Sequence, residues 1–188
     1  MPKIVAQKID WLKLGYKTFS EKGFSGIVVE KMSKTLNCNK SSFYWHFKTK
    51  KEFIREMVNY WVENKTKKII EITSIEENPT QKINKLIDLT YRKLPYSDFI
   101  FYLKRYAVKD KSISNIIDDV DNQRIDYVKR LLIENGYKDN EAQIKASLLY
   151  KHLIGFYEMT RYKELDGHYM AEVKKEILQI IDIKPIKN

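Results

Sequence analysis

The chain has 188 residues, enough for one domain or a small domain joined to a moderate one, and its 43% apolar and 13% aromatic content against six Gly and four Pro excludes a disordered or low-complexity sequence. Its single cysteine, Cys38, excludes an internal disulfide and a cysteine-based zinc cluster, and the lack of any apolar run suited to a signal peptide or membrane span predicts a soluble, cytoplasmic protein with no membrane partner. The formal charge of +10 is concentrated at one end: residues 1–50 hold ten lysines against Asp10, Glu21 and Glu30, a net of +7, as expected of a segment that meets a polyanion.

Apolar residues recur every three or four positions through Ile4, Val5, Ile9, Leu12, Tyr16 and Phe19, which predicts an amphipathic helix over roughly 4–22, stopped by Gly23. A second helix is expected over about 28–36, with Val29, Met32 and Leu36 inward, broken at Asn37-Cys38-Asn39 because Asn tolerates the left-handed backbone of a tight turn. Asn39 is placed to cap a third helix, 40–46. Thr49 and Glu52 have the spacing of a capping box, opening a fourth helix through Phe53, Met57 and Trp61 to about Ile72.

Pro79 restarts the chain into a fifth helix of about 80–94, which Pro95 ends. The apolar run 98–103 has the length of a buried strand, but Tyr106 and Ala107 continue a helical pattern and favour a buried helix. Further helices are expected at about 113–135, ended by Gly136, at 139–163 and at 170–182. The predicted fold class is all-α, with about nine helices, because no run alternates with period two.

The second helix, its turn and the third helix together make a helix-turn-helix, whose short last element enters the major groove by its N-terminal end. Lys40, Ser41 and Ser42 lie at that end, and Tyr44, Trp45 and His46 follow with polar tips for phosphates. Lys48 and Lys50 stand beside the start of the fourth helix, itself a site for anions. Phe43 and Phe47, four apart, read as core.

These residues resemble the tetracycline-repressor (TetR/AcrR) family of bacterial transcription regulators. The resemblance rests on Phe19-Ser-Glu-Lys-Gly23-Phe24, on Met32-Ser33 before the turn, and on the run from Asn39 through Tyr44-Trp-His-Phe47 to Phe53. It implies a homodimer of all-helical subunits that binds palindromic operator DNA as a repressor. It also implies an N-terminal reading domain, residues 1–49, and a domain for a small-molecule effector and dimerisation, residues 50–188. At matched positions Lys40, Ser41 and Ser42 face the groove, and Tyr44, His46 and Lys50 clamp phosphates, with Trp45 nearby. Two departures stand out: Asn37 takes the place of the usual turn glycine, and Ile27-Val28 replace the hydroxyl residue that opens the second helix, leaving Ser25 as a stand-in.

The family's cavity lies among its fourth to seventh helices, so the resemblance makes Trp61, Tyr91, Phe99, Tyr102, Tyr106 and Tyr127 the expected lining of an effector pocket. Dimerisation is expected on the last two helices, through the stripe Leu148, His152, Gly155 and Met159 and the stripe Val173, Ile177 and Ile181. The three histidines are far apart, no nucleotide-loop or zinc-hydrolase motif occurs, and neither catalytic residues, a metal site nor a cofactor is expected. The alternative reading is a helical module that binds DNA non-specifically, without effector control.

Overall fold

The computed structural model describes residues 6–92 and 98–182, and the secondary structure of these residues is entirely helical. Helix α1 (Lys8–Lys22) starts later than the spacing predicts, because Gln7 acts as its cap and donates its amide to Asp10 Oδ2 at 2.9 Å. It ends where expected, at Gly23, whose φ of 62° turns the chain away while its N–H still reaches the Phe19 carbonyl. A 3₁₀ turn (Gly23–Gly26) leads into α2 (Val29–Thr35), and Asn37, with φ of 49°, makes the left-handed turn into α3 (Lys40–His46). Asn39 occupies the position before α3 in extended backbone, yet its side chain makes no capping bond, contrary to expectation.

Thr49 caps α4 as its sequence predicts: Oγ1 accepts the Glu52 amide at 3.0 Å, and the Glu52 carboxylate accepts the Lys48 amide at 3.0 Å. This helix runs over Lys50–Trp61, through a π-helical turn Val62–Lys67, and on over Lys68–Ser74. Asn78 caps α5 (Pro79–Thr90) by accepting the Gln81 amide at 2.9 Å. The expected stop at Pro95 lies outside the described residues. The 98–103 run is helical, as α6 (Phe99–Ala107), and α7 (Lys111–Glu134), α8 (Asp139–Thr160) and α9 (Tyr169–Ile180) complete nine helices among the described residues. None of them is long and apolar enough to cross a membrane.

The helices group into two packing units, residues 1–64 with 95–117, and residues 65–94 with 118–188. The first is centred on the fully buried rings of Trp11, Phe19, Phe43, Phe47, Phe53 and Phe99. Gly15 sits where α1 meets α4: a Cβ there would lie 2.3 Å from Phe53 Cζ, and the buried ring has nowhere to retreat. The second unit has an aliphatic centre built from Ile83, Ile87, Leu131, Leu132, Ala142 and Ala146.

Asp110 secures the entry to α7. Its Oδ1 accepts the Ser112 hydroxyl at 2.6 Å and the Ser112 and Ile113 amides at 3.1 and 3.4 Å, and its other oxygen meets Lys51 Nζ at 3.3 Å. The Ser112 hydroxyl first, then Lys51 and the Ile113 amide, hold this carboxyl below the usual range against the opposing pull of burial. A carboxyl depressed in the folded state stabilises above its unfolded value, near 3.9, and that contribution is lost as pH falls through the lowered folded value. Asp110→Ala is therefore expected to cost about 1 kcal/mol at pH 7, the usual worth of a helix cap, with the gap to wild type narrowing below pH 4. Urea unfolding of both proteins at pH 7 and pH 3 measures this; a gap that does not narrow in acid would remove the charged cap from the explanation.

Candidate nucleic-acid interface

Seven residues cannot hold a helix by themselves, so α3 depends on what its inner side packs against. Phe43 meets Trp11 and Phe53 edge-on at centroid distances of 5.3 and 5.2 Å, and Phe47 meets Phe53 at 4.9 Å. Both phenylalanines are fully buried, as their spacing predicts. The 3.6-residue period then sorts the remaining positions. Residues 42, 43, 46 and 47 turn inward or toward the start of α1, while Lys40, Ser41, Tyr44 and Trp45 turn outward, Trp45 with 78% of its surface exposed.

This sorting places two residues of the expected DNA-contact set, Ser42 and His46, off the outward face. Ser42 is 9% exposed; its Oγ accepts the Trp11 indole N–H at 3.3 Å and donates to the Ala6 carbonyl at 3.4 Å. His46 bonds through Nε2 to the same carbonyl at 2.9 Å. Both side chains tie α3 to the residues before α1, because they share the helix face of Phe43 and Phe47. Lys40, Ser41, Tyr44 and Trp45 are exposed on the outer side, and Lys48 and Lys50 lie exposed where α3 passes into α4. Ser25 does not replace the missing cap of α2: its hydroxyl donates to the Lys22 carbonyl at 2.9 Å, and Val28 supplies no side-chain bond.

A further residue, absent from the sequence-based set, joins this face. Glu30, in the first turn of α2, accepts a hydrogen bond from Lys40 Nζ at 2.8 Å, and both side chains are more than half exposed. Bonding to Lys40 holds the carboxyl below its ordinary value, and the carboxylate raises the lysine in return. The signal available in sequence was plain: Glu30 is the one acidic residue in 28–50, amid five lysines.

The expected effector-pocket set divides between the two packing units. Trp61 and Phe99 pack together at 5.5 Å, Phe99 reaches Tyr16 and Phe19, Tyr102 covers Gly23, and Tyr106 stacks on Phe24 at 5.1 Å. These four belong to the first packing unit. Tyr91 and Tyr127 belong to the second, where the Tyr127 hydroxyl is 2.5 Å from Thr73 Oγ1 and the Tyr91 hydroxyl is 2.8 Å from His152 Nδ1. Burial pushes the Tyr91 phenol up, reinforced by the Glu176 charge. All six are buried or half-buried within their own unit.

A polar network threads the second unit instead. Arg124 donates to buried Thr66, on the π-helical turn, at 2.8 and 3.2 Å and to the Tyr150 hydroxyl at 3.4 Å, while that hydroxyl donates to Asp121 Oδ1 at 2.5 Å. Burial, opposed by Arg124, pushes the Tyr150 phenol up to about 12.

Of the two expected dimer stripes, one turns inward. Val173, Ile177 and Ile181 are buried in the second unit's own core, since α9 closes that core from outside. The α8 stripe stays outside: Leu148 and Met159 are 47% and 68% exposed, and nothing lies within 4 Å of where a Gly155 Cβ would be. His152 is half-buried at its edge, with Nε2 3.0 Å from Glu176 Oε2. Ile144, exposed, extends the same stripe at helical spacing, a continuation readable from sequence but missed, and Tyr162, also exposed, follows in the turn beyond the end of α8.

Residues 12–57 match the family model described as bacterial regulatory proteins, tetR family. A 49-residue stretch, 24% of this chain, is 39% identical to the biofilm operon HTH-type negative transcriptional regulator IcaR of Staphylococcus epidermidis, over 26% of that protein. The matched stretches span 26% to 61% of the length of the curated relatives. In three dimensions the chain is similar to a TetR transcriptional regulator from Legionella pneumophila, with a TM-score of 0.77 at 19% identity over 97% of this chain and 100% of that one. It is also similar to a transcriptional regulator from Saccharomonospora viridis in complex with choline, with a TM-score of 0.78 at 12% identity over 92% and 95% of the two chains. These last two likenesses concern the fold.

Proposed function

We propose, from the premise that this chain belongs to the TetR family of bacterial regulatory proteins through residues 12–57, that it is a ligand-responsive repressor binding palindromic operator DNA as a homodimer. The observation that carries this reading is the outward face of α3, where Lys40, Ser41, Tyr44 and Trp45 stand clear of a rigid aromatic base, flanked by Lys48 and Lys50. Side chains on such a face can reach base edges in the major groove while flanking lysines neutralise phosphates. The reading division is residues 1–49, and residues 50–188 serve effector binding and dimerisation, although α4 up to Asn64, α6 and the start of α7 pack with the first unit.

Dimerisation is assigned to the α8 stripe of Ile144, Leu148, Gly155 and Met159, with Tyr162 in the turn that follows, an apolar strip open to solvent in the single subunit. Two-fold pairing there makes the interface self-complementary and spaces two reading helices for half-sites about one DNA turn apart, roughly 34 Å. A small effector acts by preferring a dimer state in which that spacing is wrong, and can weaken DNA binding only by the strength of its preference, typically 1 to 3 kcal/mol. The Saccharomonospora viridis relative holding choline supports a small organic effector as the class.

With about three phosphates neutralised per subunit, log K against log salt is expected to have a slope near −5. Lys50→Ala is expected to weaken binding to every duplex and to make that slope shallower by about one per subunit, whereas Ser41→Ala changes the preference among sequences. Fluorescence anisotropy with a selected duplex and a random-sequence pool, at 50 to 300 mM KCl, measures both. An unchanged slope in Lys50→Ala removes the phosphate role; equal affinity of the wild type for all duplexes favours the non-specific DNA-binding module.

A further inference from the structure

The geometry points to Glu30 as a specificity-determining residue that acts through Lys40: the ion pair between α2 and α3 holds the lysine for a base edge and cancels its attraction to phosphates. The inference rests on the reading of this chain as an operator-binding regulator.

Non-specific affinity comes almost entirely from lysines and arginines neutralising phosphates, and each such contact strengthens binding to every sequence alike. A regulator gains discrimination only when binding to the correct site rises relative to all others. Lys40 opens the groove-facing end of α3, the position from which a lysine donates to guanine O6 and N7. Left alone, its ammonium on a four-carbon stem would reach for the nearest phosphate and spend its flexibility there. Glu30 stands 2.8 Å away on the neighbouring helix and bonds the same ammonium.

Three consequences follow from that placement. The pair carries no net charge, so its contribution to random DNA is small. The lysine's donors are aimed before any DNA arrives, which lowers the ordering cost at a matching base. The carboxylate itself opposes any phosphate brought close, and tolerates only an approach in which Lys40 lies between them. The pair is solvent-exposed on both sides, and exposed ion pairs contribute little to folding, so folding stability does not account for it. Lys34 lies one helical turn from Glu30, and it and Lys50 are near enough to be felt by the carboxylate, so the acid is set among three lysines counting Lys40.

The test begins with selection of preferred 24-base-pair duplexes from a randomised pool by the wild-type protein. Anisotropy then gives affinities for the selected duplex and for the unselected pool, with salt slopes, for wild type, Glu30→Gln, Lys40→Gln and the double variant. Glu30→Gln is expected to bind the pool about tenfold more tightly, with a slope steeper by about 0.9 per subunit, and to lose most of the selected-to-pool ratio. Selection repeated with Glu30→Gln and with Lys40→Gln is expected to relax the same base positions, and in the Lys40→Gln background the second substitution leaves the ratio unchanged. Glu30→Asp, one methylene shorter, is expected to give an intermediate ratio. A wild-type ratio in Glu30→Gln, or an equal fall in ratio with Lys40 already removed, overturns the inference, as does loss of cooperative thermal unfolding in Glu30→Gln, which would make the pair structural. Failure of the wild type to bind duplex DNA in a salt-dependent way instead removes the operator-binding reading itself.

Discussion

Phe43→Ala is expected to abolish DNA binding and to destabilise the first packing unit by about 3–5 kcal/mol, the range for deleting a large buried aromatic side chain. Phe43 is the ring on which α3 rests: it contacts Trp11, Tyr44, Phe47 and Phe53 and is completely buried. Removing it opens a cavity that its neighbours, each fixed by the others, cannot fill. Because whole-protein stabilities are commonly 5–15 kcal/mol, the loss consumes a large part of the margin. Thermal denaturation followed by circular dichroism, together with anisotropy at low salt, measures both effects. A variant with wild-type melting and wild-type affinity would mean that α3 is held by something other than its aromatic base.

Leu148→Glu is expected to produce the second large effect by dissociating the proposed dimer without unfolding the subunit. Leu148 is half exposed on α8, so a carboxylate there stays solvated in the monomer but would be buried without a partner in the pair. Two tethered reading helices bind a two-half-site operator more tightly than one, and avidity of this kind is worth 10²- to 10⁴-fold. Sedimentation velocity is expected to show a monomer, and affinity for a palindromic duplex to fall by that factor while binding to a single half-site persists. Ile177→Glu provides the contrast: that residue lies in the subunit's own core, and its replacement is expected to lower the melting temperature before any change of oligomeric state. Persistence of the dimer in Leu148→Glu would move the interface away from this stripe.

The helices themselves were legible because local chemistry writes them. Gly23, Asn37, Thr49, Asn78 and Gly136 act where their backbone freedom or their side-chain acceptors dictate, and the elements end within a few residues of the expected places. The expected α1 start at residue 4 lies outside the described residues, and among those described the helix begins at Lys8, behind the Gln7 and Asp10 cap. The reading motif was legible too, since Phe43 and Phe47 announce an inner face by their spacing.

Periodicity tells which residues share a face, but not which partner that face meets, and here the site assignments divided. Ser42 and His46 are expected at DNA from their place in the helix-turn-helix and from the family resemblance; their place beside Phe43 on the helix turns them toward Ala6 and Trp11. The stripes on α8 and α9 are alike in sequence, yet one closes the subunit's core while the other is largely exposed, because α9 packs across the aliphatic centre while Leu148, Met159 and the open space at Gly155 lie on the outer side of α8. Composition, caps and spacing thus determined the helices, the turn and the concentration of positive charge in the first fifty residues. Only the tertiary structure decided which apolar face is left over and which lysine meets a carboxylate, since burial and ion pairing depend on residues far apart in the chain: Glu30 and Lys40 are ten positions apart, and no local rule brings them to 2.8 Å.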